Sequence, residues 1–165
     1  MADAVVTIQD DELKALCSRL NAAALSPGDK QKLLDSVGEE MEVQTKLRLD
    51  STPPKKGSDD KPWDDIRAST RDYYRKHGID DSPAKLMFRS GSLLDSISHE
   101  VDGLSVLVGA CKAYAAIHQW GGSVYPFGNK KAKKVKISPR PYLGLSADDK
   151  IEVVELIEGF ISERL

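Results

Sequence analysis

The sequence predicts an α+β fold, with helices at both ends and a small antiparallel β-sheet between them. Three observations carry this. Apolar residues recur at helical spacing between positions 10 and 49 and again between 146 and 165. Between these stretches, residues 97–108 alternate apolar and polar about an Asp-Gly pair, the pattern of a β-hairpin. The order is helices, then strands, then one helix, without the strand–helix–strand alternation of a parallel sheet.

The elements follow in order. Residues 10–24 read as a first helix, with Leu13, Leu16, Cys17, Leu20 and Ala24 on one face. Ser26-Pro27-Gly28-Asp29 stops it and starts the next: Ser26 suits the N-cap, Pro27 the first helical position, and Asp29 falls three residues after the cap. The second helix runs to about Leu49, with Leu33, Leu34, Val37 and Met41 inward and Glu39, Glu40, Glu42, Lys46 and Arg48 outward. A connection this short predicts an antiparallel N-terminal helical hairpin. Ser51 to Pro62 holds three prolines, a glycine and many charges, so an exposed, mobile loop is expected at 51–62. Trp63 then anchors the returning chain. Residues 64–77 form a candidate helix with Ile66, Tyr73 and Tyr74 inward and Gly78 as its stop. Residues 85–97 give an apolar entry, a Ser-Gly turn and a short apolar turn of helix.

The hairpin pairs Ile97, His99 and Val101 with Leu104, Val106 and Val108 around a turn at Asp102-Gly103. Tyr114 to Trp120 is expected as a third strand and Lys134 to Ser138 as a fourth, with a Gly-rich and then Lys-rich loop between them. Ser146, with Asp149 three residues on, caps a C-terminal amphipathic helix carrying Ile151, Val154, Ile157 and Ile161, widened by Val153, Phe160 and Leu165.

Composition bounds the function. A chain of 165 residues with 40% hydrophobic content supports one domain, 1–165, with a modest core. Its 24 basic and 26 acidic side chains leave a net charge of -2, against a general nucleic-acid or membrane-surface binder. No apolar run approaches the ~20 residues that cross a bilayer, and the first residues lack the basic start of a signal peptide. Cys17 and Cys111 show no metal-ligand spacing, and a disulfide between them is not expected in a protein made in the cytosol.

Chemical motifs are missing. There is no phosphate-binding Gly-rich loop, no dinucleotide fingerprint, no His-Glu-x-x-His and no Gly-x-Ser-x-Gly. No cofactor, metal or catalytic residue is expected. His77, His99 and His118 fall in different segments. His99, on the apolar side of its strand, reads as a core histidine with one satisfied nitrogen, and His118 as a donor or acceptor fixing the turn that follows it. Asp59-Asp60 and Asp64-Asp65 read as solvated acids. Lys130, Lys131, Lys133, Lys134 and Lys136 lie in a basic loop at 128–136. That loop can contact phosphates, keep a hairpin tip soluble, or dock on an acidic neighbouring subunit; it lacks the arginine and interleaved aromatics of a nucleic-acid site.

The densest cluster of special residues is Tyr114-Ala-Ala-Ile-His-Gln-Trp-Gly-Gly122, joined downstream by Ile137-Ser-Pro-Arg-Pro-Tyr-Leu-Gly-Leu-Ser146. A chain that forms hairpins brings the two segments together. In this order they resemble the signature of the phage virion-morphogenesis, or tail-completion, proteins. Trp63 after the proline-rich loop, Ser90-Gly91-Ser92-Leu93 and Leu107-Val108-Gly109 agree with the same family in order. The resemblance covers Trp63 to the C-terminus and leaves the basic insert 128–136 without a counterpart.

The resemblance implies a non-enzymatic structural or assembly protein of a tailed phage or prophage. It would be made in the host bacterial cytoplasm and act in the virion, at the tail or the head–tail junction. Its implied partners are further copies of itself in a ring, other tail, neck or connector proteins, and passing DNA at most non-specifically. A non-virion assembly factor and a small DNA-binding module using the lysine loop are the alternatives. The candidate interface residues are Tyr114, His118, Gln119, Trp120, Gly121, Gly122, Arg140 and Pro141. Trp120 and Tyr114 offer rigid aromatic anchors, Gly121-Gly122 permits close backbone approach, and Arg140 between two prolines presents its planar fork in an extended segment.

Overall fold

A computed structural model describes residues 25–126 and 129–163, together with Asp11, Ala15 and Ser18. The first predicted helix, with Cys17, lies outside the described residues apart from those three positions, and with it the first arm of the expected helical hairpin. Its second arm is helix α1, Pro27–Asp50, where the Ser26 hydroxyl accepts from Asp29 N as expected. The remaining elements are α2 (Ala68–Lys76), β1 (Ile97–Asp102), β2 (Ser105–Ala110), α3 (Ala115–Trp120), β3 (Gly122–Val124), β4 (Val135–Ile137) and α4 (Ala147–Ser162). Short 3₁₀ turns at Pro83–Lys85 and Leu94–Ser96 fill the run into β1. The α+β class holds, but the strands form two separate two-stranded antiparallel sheets, β1–β2 and β3–β4.

Apolar side chains gather in two adjoining cores. Leu33 and Val37 of α1 pack with Val153, Ile157 and Ile161 of α4. Leu49, Trp63, Leu93, Ile97, Ala110, Ala115, Tyr142 and Leu143 form the other. Helix α4 carries the complete capping box: Ser146 accepts from Asp149 N, and Asp149 accepts from Ser146 N at 2.7 Å. Its buried stripe is Val153, Ile157 and Ile161, not the one that includes Ile151. Ile151 is 56% exposed, because α1 covers the side of α4 centred on Val153 and leaves the opposite side to solvent.

The β1–β2 hairpin forms with its register moved by one residue. Val101 pairs with Val106, Asp102 with Ser105, and the turn is Gly103-Leu104. Gly103 takes the positive φ of 59° at the first turn position, the arrangement of a II′ turn. Leu104 is therefore a turn-tip residue and exposed.

Three further expectations change. Tyr114 to Trp120 is not a strand: residues 115–120 form α3, with Tyr114 as a helically oriented cap and Gly121 (φ 73°) ending it. Ala115 and Ala116 favour a helix, and only Gly121 reverses the chain cheaply. The strand that pairs with β4 is Gly122–Val124 instead. Residues 51–62 are mostly exposed, as expected, but Lys55 and Gly57 within them are buried and tied down. Lys55 is 3% exposed and donates to the Leu49 carbonyl at the end of α1, where the helix dipole favours a cation. Gly57 packs so closely that a Cβ there would lie 2.8 Å from the Pro141 carbonyl and 2.9 Å from Trp63 Nε1. Arg48, expected outward, turns inward to Asp149 and donates to the Tyr142 carbonyl at 2.6 Å, linking α1, α4 and the 140s segment.

His99 also departs from expectation. Both ring nitrogens meet carboxylates: Nδ1 lies 2.8 Å from Glu42 and Nε2 3.3 Å from Asp35, both on α1. The ring reaches α1 because position 38 is glycine; a Cβ there would sit 2.4 Å from His99 Cδ2. Burial pushes the His99 pKa down, but the hydrogen bonds and charges of Glu42 and Asp35 outweigh it and leave it above the ordinary histidine value. Burial likewise raises Glu42, and Lys46 and His99 outweigh that, so its carboxyl lies below the usual range.

Candidate functional site

The two marked segments meet, and Gln119 is the joint. Its side chain is 5% exposed. Oε1 accepts from Tyr142 N at 2.9 Å and Leu143 N at 3.0 Å, while Nε2 donates to the Leu143 carbonyl at 2.9 Å. One amide thus satisfies three backbone groups of the 140s segment, as a paired strand would. The clamp continues through Arg140 N, which donates to the His118 carbonyl at 2.7 Å. Below it, Tyr142 is fully buried with its hydroxyl 3.4 Å from the Ala115 carbonyl. Burial foremost holds that phenol far above its ordinary pKa.

Gly121 completes the frame. Its φ of 73° suits glycine, and a Cβ would meet Ile137 O and the Pro139 ring at 2.9 Å. The Gly121-Gly122 pair therefore serves a close approach within the subunit.

Arg140 does not project. Its Nε donates to Asp64 O at 2.9 Å and its Nη2 to Asp65 O at 3.2 Å, so the fork staples the returning chain beside Trp63. Pro141 gives its carbonyl to Ser58 N at 2.8 Å and fixes the 51–62 segment. His118 makes no side-chain hydrogen bond to the turn: its Nδ1 is buried without a partner. Burial, and then the charge of Arg140, hold it below the ordinary histidine value, so the ring is neutral at pH 7. His118, Tyr114 and Arg140 line a cleft of about 280 Å³ with Tyr74, Arg89 and Ser90.

Two aromatic members of the set face out. Trp120 is 52% exposed at the end of α3, and Tyr114 is exposed at its start, edge-on to His118. Next to Trp120 runs the β3–β4 hairpin, where Val124 and Tyr125 are also exposed. Phe127 and Gly128 lie outside the described residues. Lys130, Lys131, Lys133, Lys134 and Lys136 are all exposed, and Lys134 Nζ stands 5.1 Å from the Tyr125 ring centroid. The basic loop thus has an aromatic companion that spacing in the sequence did not reveal.

Among the described residues no group of three or more His, Cys, Asp or Glu side chains could hold a metal ion, and no helix is long and apolar enough to cross a membrane. What the site offers is surface: a rigid internal frame of Gln119, Gly121, Arg140 and Tyr142, and an outer rim of aromatic and basic side chains.

A family model described as the phage virion morphogenesis family matches residues 11–162. The chain belongs to this family. Among curated relatives, it is 30% identical over 105 residues to the "Putative capsid assembly protein G" of Escherichia phage Mu, a match covering 64% of each chain. It is 34% identical over 83 residues to the "Mu-like prophage FluMu G protein 2" of Haemophilus influenzae, covering 46% of this chain and 56% of that protein. The chain therefore spans less than two thirds of the length of either relative. No solved structure is a significant match. Family membership gives the protein a role in phage virion morphogenesis.

Proposed function

We propose that this protein is a structural subunit that completes the tail or joins head to tail of a phage particle by closing a homo-oligomeric ring. The observation that carries the reading is the exposure of Trp120 on a frame that does not need it. Gln119 on one side of Trp120 and Gly121 on the other are locked by the interior contacts above, while the indole projects with half its surface in solvent. A large aromatic held rigidly loses little entropy on docking and is the commonest kind of interface anchor. Further copies of the chain are the first partners; other tail, neck or connector proteins stack on the ring. DNA passing through it meets the lysines at most non-specifically.

The test is complementation with Trp120→Ala. Truncating an interface anchor costs at least ~2 kcal/mol of association, so particles should fail to mature while the purified variant stays folded. Normal particle yield with Trp120→Ala would refute this use of the residue. If the wild-type protein is missing from finished particles, the transient assembly factor replaces the ring subunit.

A further inference from the structure

We propose that the subunits join head to tail, the basic β3–β4 hairpin and Trp120 of one copy docking on the outer face of α4 in the next. The inference rests on the ring reading and names the two surfaces that meet.

The acceptor face is defined by what the core leaves uncovered. Val153, Ile157 and Ile161 of α4 are buried, which turns Asp148, Ile151, Glu152 and Glu155 outward, all exposed. On a helix, residues three or four apart are neighbours, so Ile151 stands between Asp148 and Glu155, and Glu152 neighbours both of these acids in turn. An apolar residue more than half exposed within an acidic rim is an anchor seat without an occupant in the monomer. Exposed Leu47 of α1 lines an open cleft together with Asp148 and so lies beside this face.

The donor face mirrors it. Trp120, Val124 and Tyr125 supply the apolar part, and five lysines supply a basic rim. The occupant of the acidic face is therefore a second copy, by complementarity of both charge and apolar area. The two faces belong to different elements: α4 packs on α1, whereas β3 and β4 pair chiefly with each other. A contact between two different faces is heterologous, and heterologous contacts generate rings when the rotation closes. A chain with net charge of only -2 can do this because its charges are segregated.

The test is a charge exchange on the full chain, read by sedimentation velocity. The loop variant carries Lys130→Glu, Lys131→Glu, Lys133→Glu and Lys134→Glu. The face variant carries Glu152→Lys and Glu155→Lys and leaves Asp148 to support the start of α4. All these positions are exposed, and circular dichroism checks that both variants fold. Each variant alone should self-associate about tenfold more weakly or worse. An equimolar mixture, and a chain carrying both sets, should assemble again. Association of the wild type should also weaken as salt shortens the screening length from about 10 Å to about 3 Å. If the wild type assembles but either variant assembles equally well, the contact lies elsewhere and this inference fails while the ring stands. Failure of the combined chain to recover means that the two faces do not meet. If the loop variant loses duplex DNA binding with assembly unchanged, the hairpin serves nucleic acid. A wild type that is monomeric at every concentration removes the ring and this contact together.

Discussion

Replacing Gln119 by Leu tests whether the family's two marked segments are held together mainly by one amide. Leu is close in volume but neither donates nor accepts. The change leaves Tyr142 N and Leu143 N without the acceptor they now have at 2.9 and 3.0 Å, while the Leu143 carbonyl keeps only its bond from the Ser58 hydroxyl. Tyr142 and Leu143 are buried, so water does not simply take over. An unsatisfied buried group costs roughly 1–3 kcal/mol, which puts the total for the two N–H groups at about 2–6 kcal/mol. That is a large share of the 5–15 kcal/mol typical of a domain. At about 2–4 °C per kcal/mol for a chain of this size, the melting temperature should fall by about 4 °C or more. The assay is thermal unfolding followed by far-UV circular dichroism at neutral pH. Trp120→Ala, one residue away but exposed, should change the same melting temperature by no more than a surface substitution does, about 0.5 kcal/mol. If Gln119→Leu melts within about 3 °C of the wild type, the amide is not the joint and the reasoning fails.

Other outcomes follow from the same contacts. Trp63→Ala should cost ~3–5 kcal/mol of folding stability, since Trp63 is only 8% exposed. Gly38→Ala should destabilise by about 1–3 kcal/mol through overpacking against His99, and His99→Ala should relieve most of that loss in a double-mutant cycle. The His99–Glu42 contact should give a stability maximum in mildly acidic solution. His99 is raised above 6.5, so its contribution is fully present below that value and lost as pH rises through the folded pKa. Glu42 is lowered below 4.5, so its contribution is present above that value and lost as pH falls through the folded pKa. Melting temperature across pH 4–8, with His99→Gln flattening the alkaline side, checks this. Gly121→Ala should cost more than the strain of a positive φ alone, 1–3 kcal/mol, because the Ile137 carbonyl and Pro139 ring stand in the way.

Local chemistry made the helix starts legible. Ser26-Pro27 and Ser146 with Asp149 are read from a few neighbouring residues, and both caps form. The hairpin was legible for the same reason, to within one residue at its turn. Residues 114–120 were not. A short apolar run suits a strand or a helix equally by periodicity, and Gln119's backbone partners lie more than twenty positions away in the sequence. The inward turn of Arg140 is not legible because its partners are backbone carbonyls, which carry no sequence signal. The burial of Lys55 and Arg48 is not legible from their charge, because each meets acceptors supplied by the end of α1, Tyr142 or Asp149. The outward turn of Ile151 came from which side of α4 the long helix covers, a tertiary choice that a stripe of apolar residues leaves open.

A ring subunit requires closed self-assembly. Native mass measurement of the full-length protein over a wide range of concentrations, with images of the purified sample, tests it most directly. One discrete oligomer, seen as a ring and lost in Trp120→Ala, is the predicted result. A monomer at every concentration, or an open distribution of aggregates in both proteins, would contradict it.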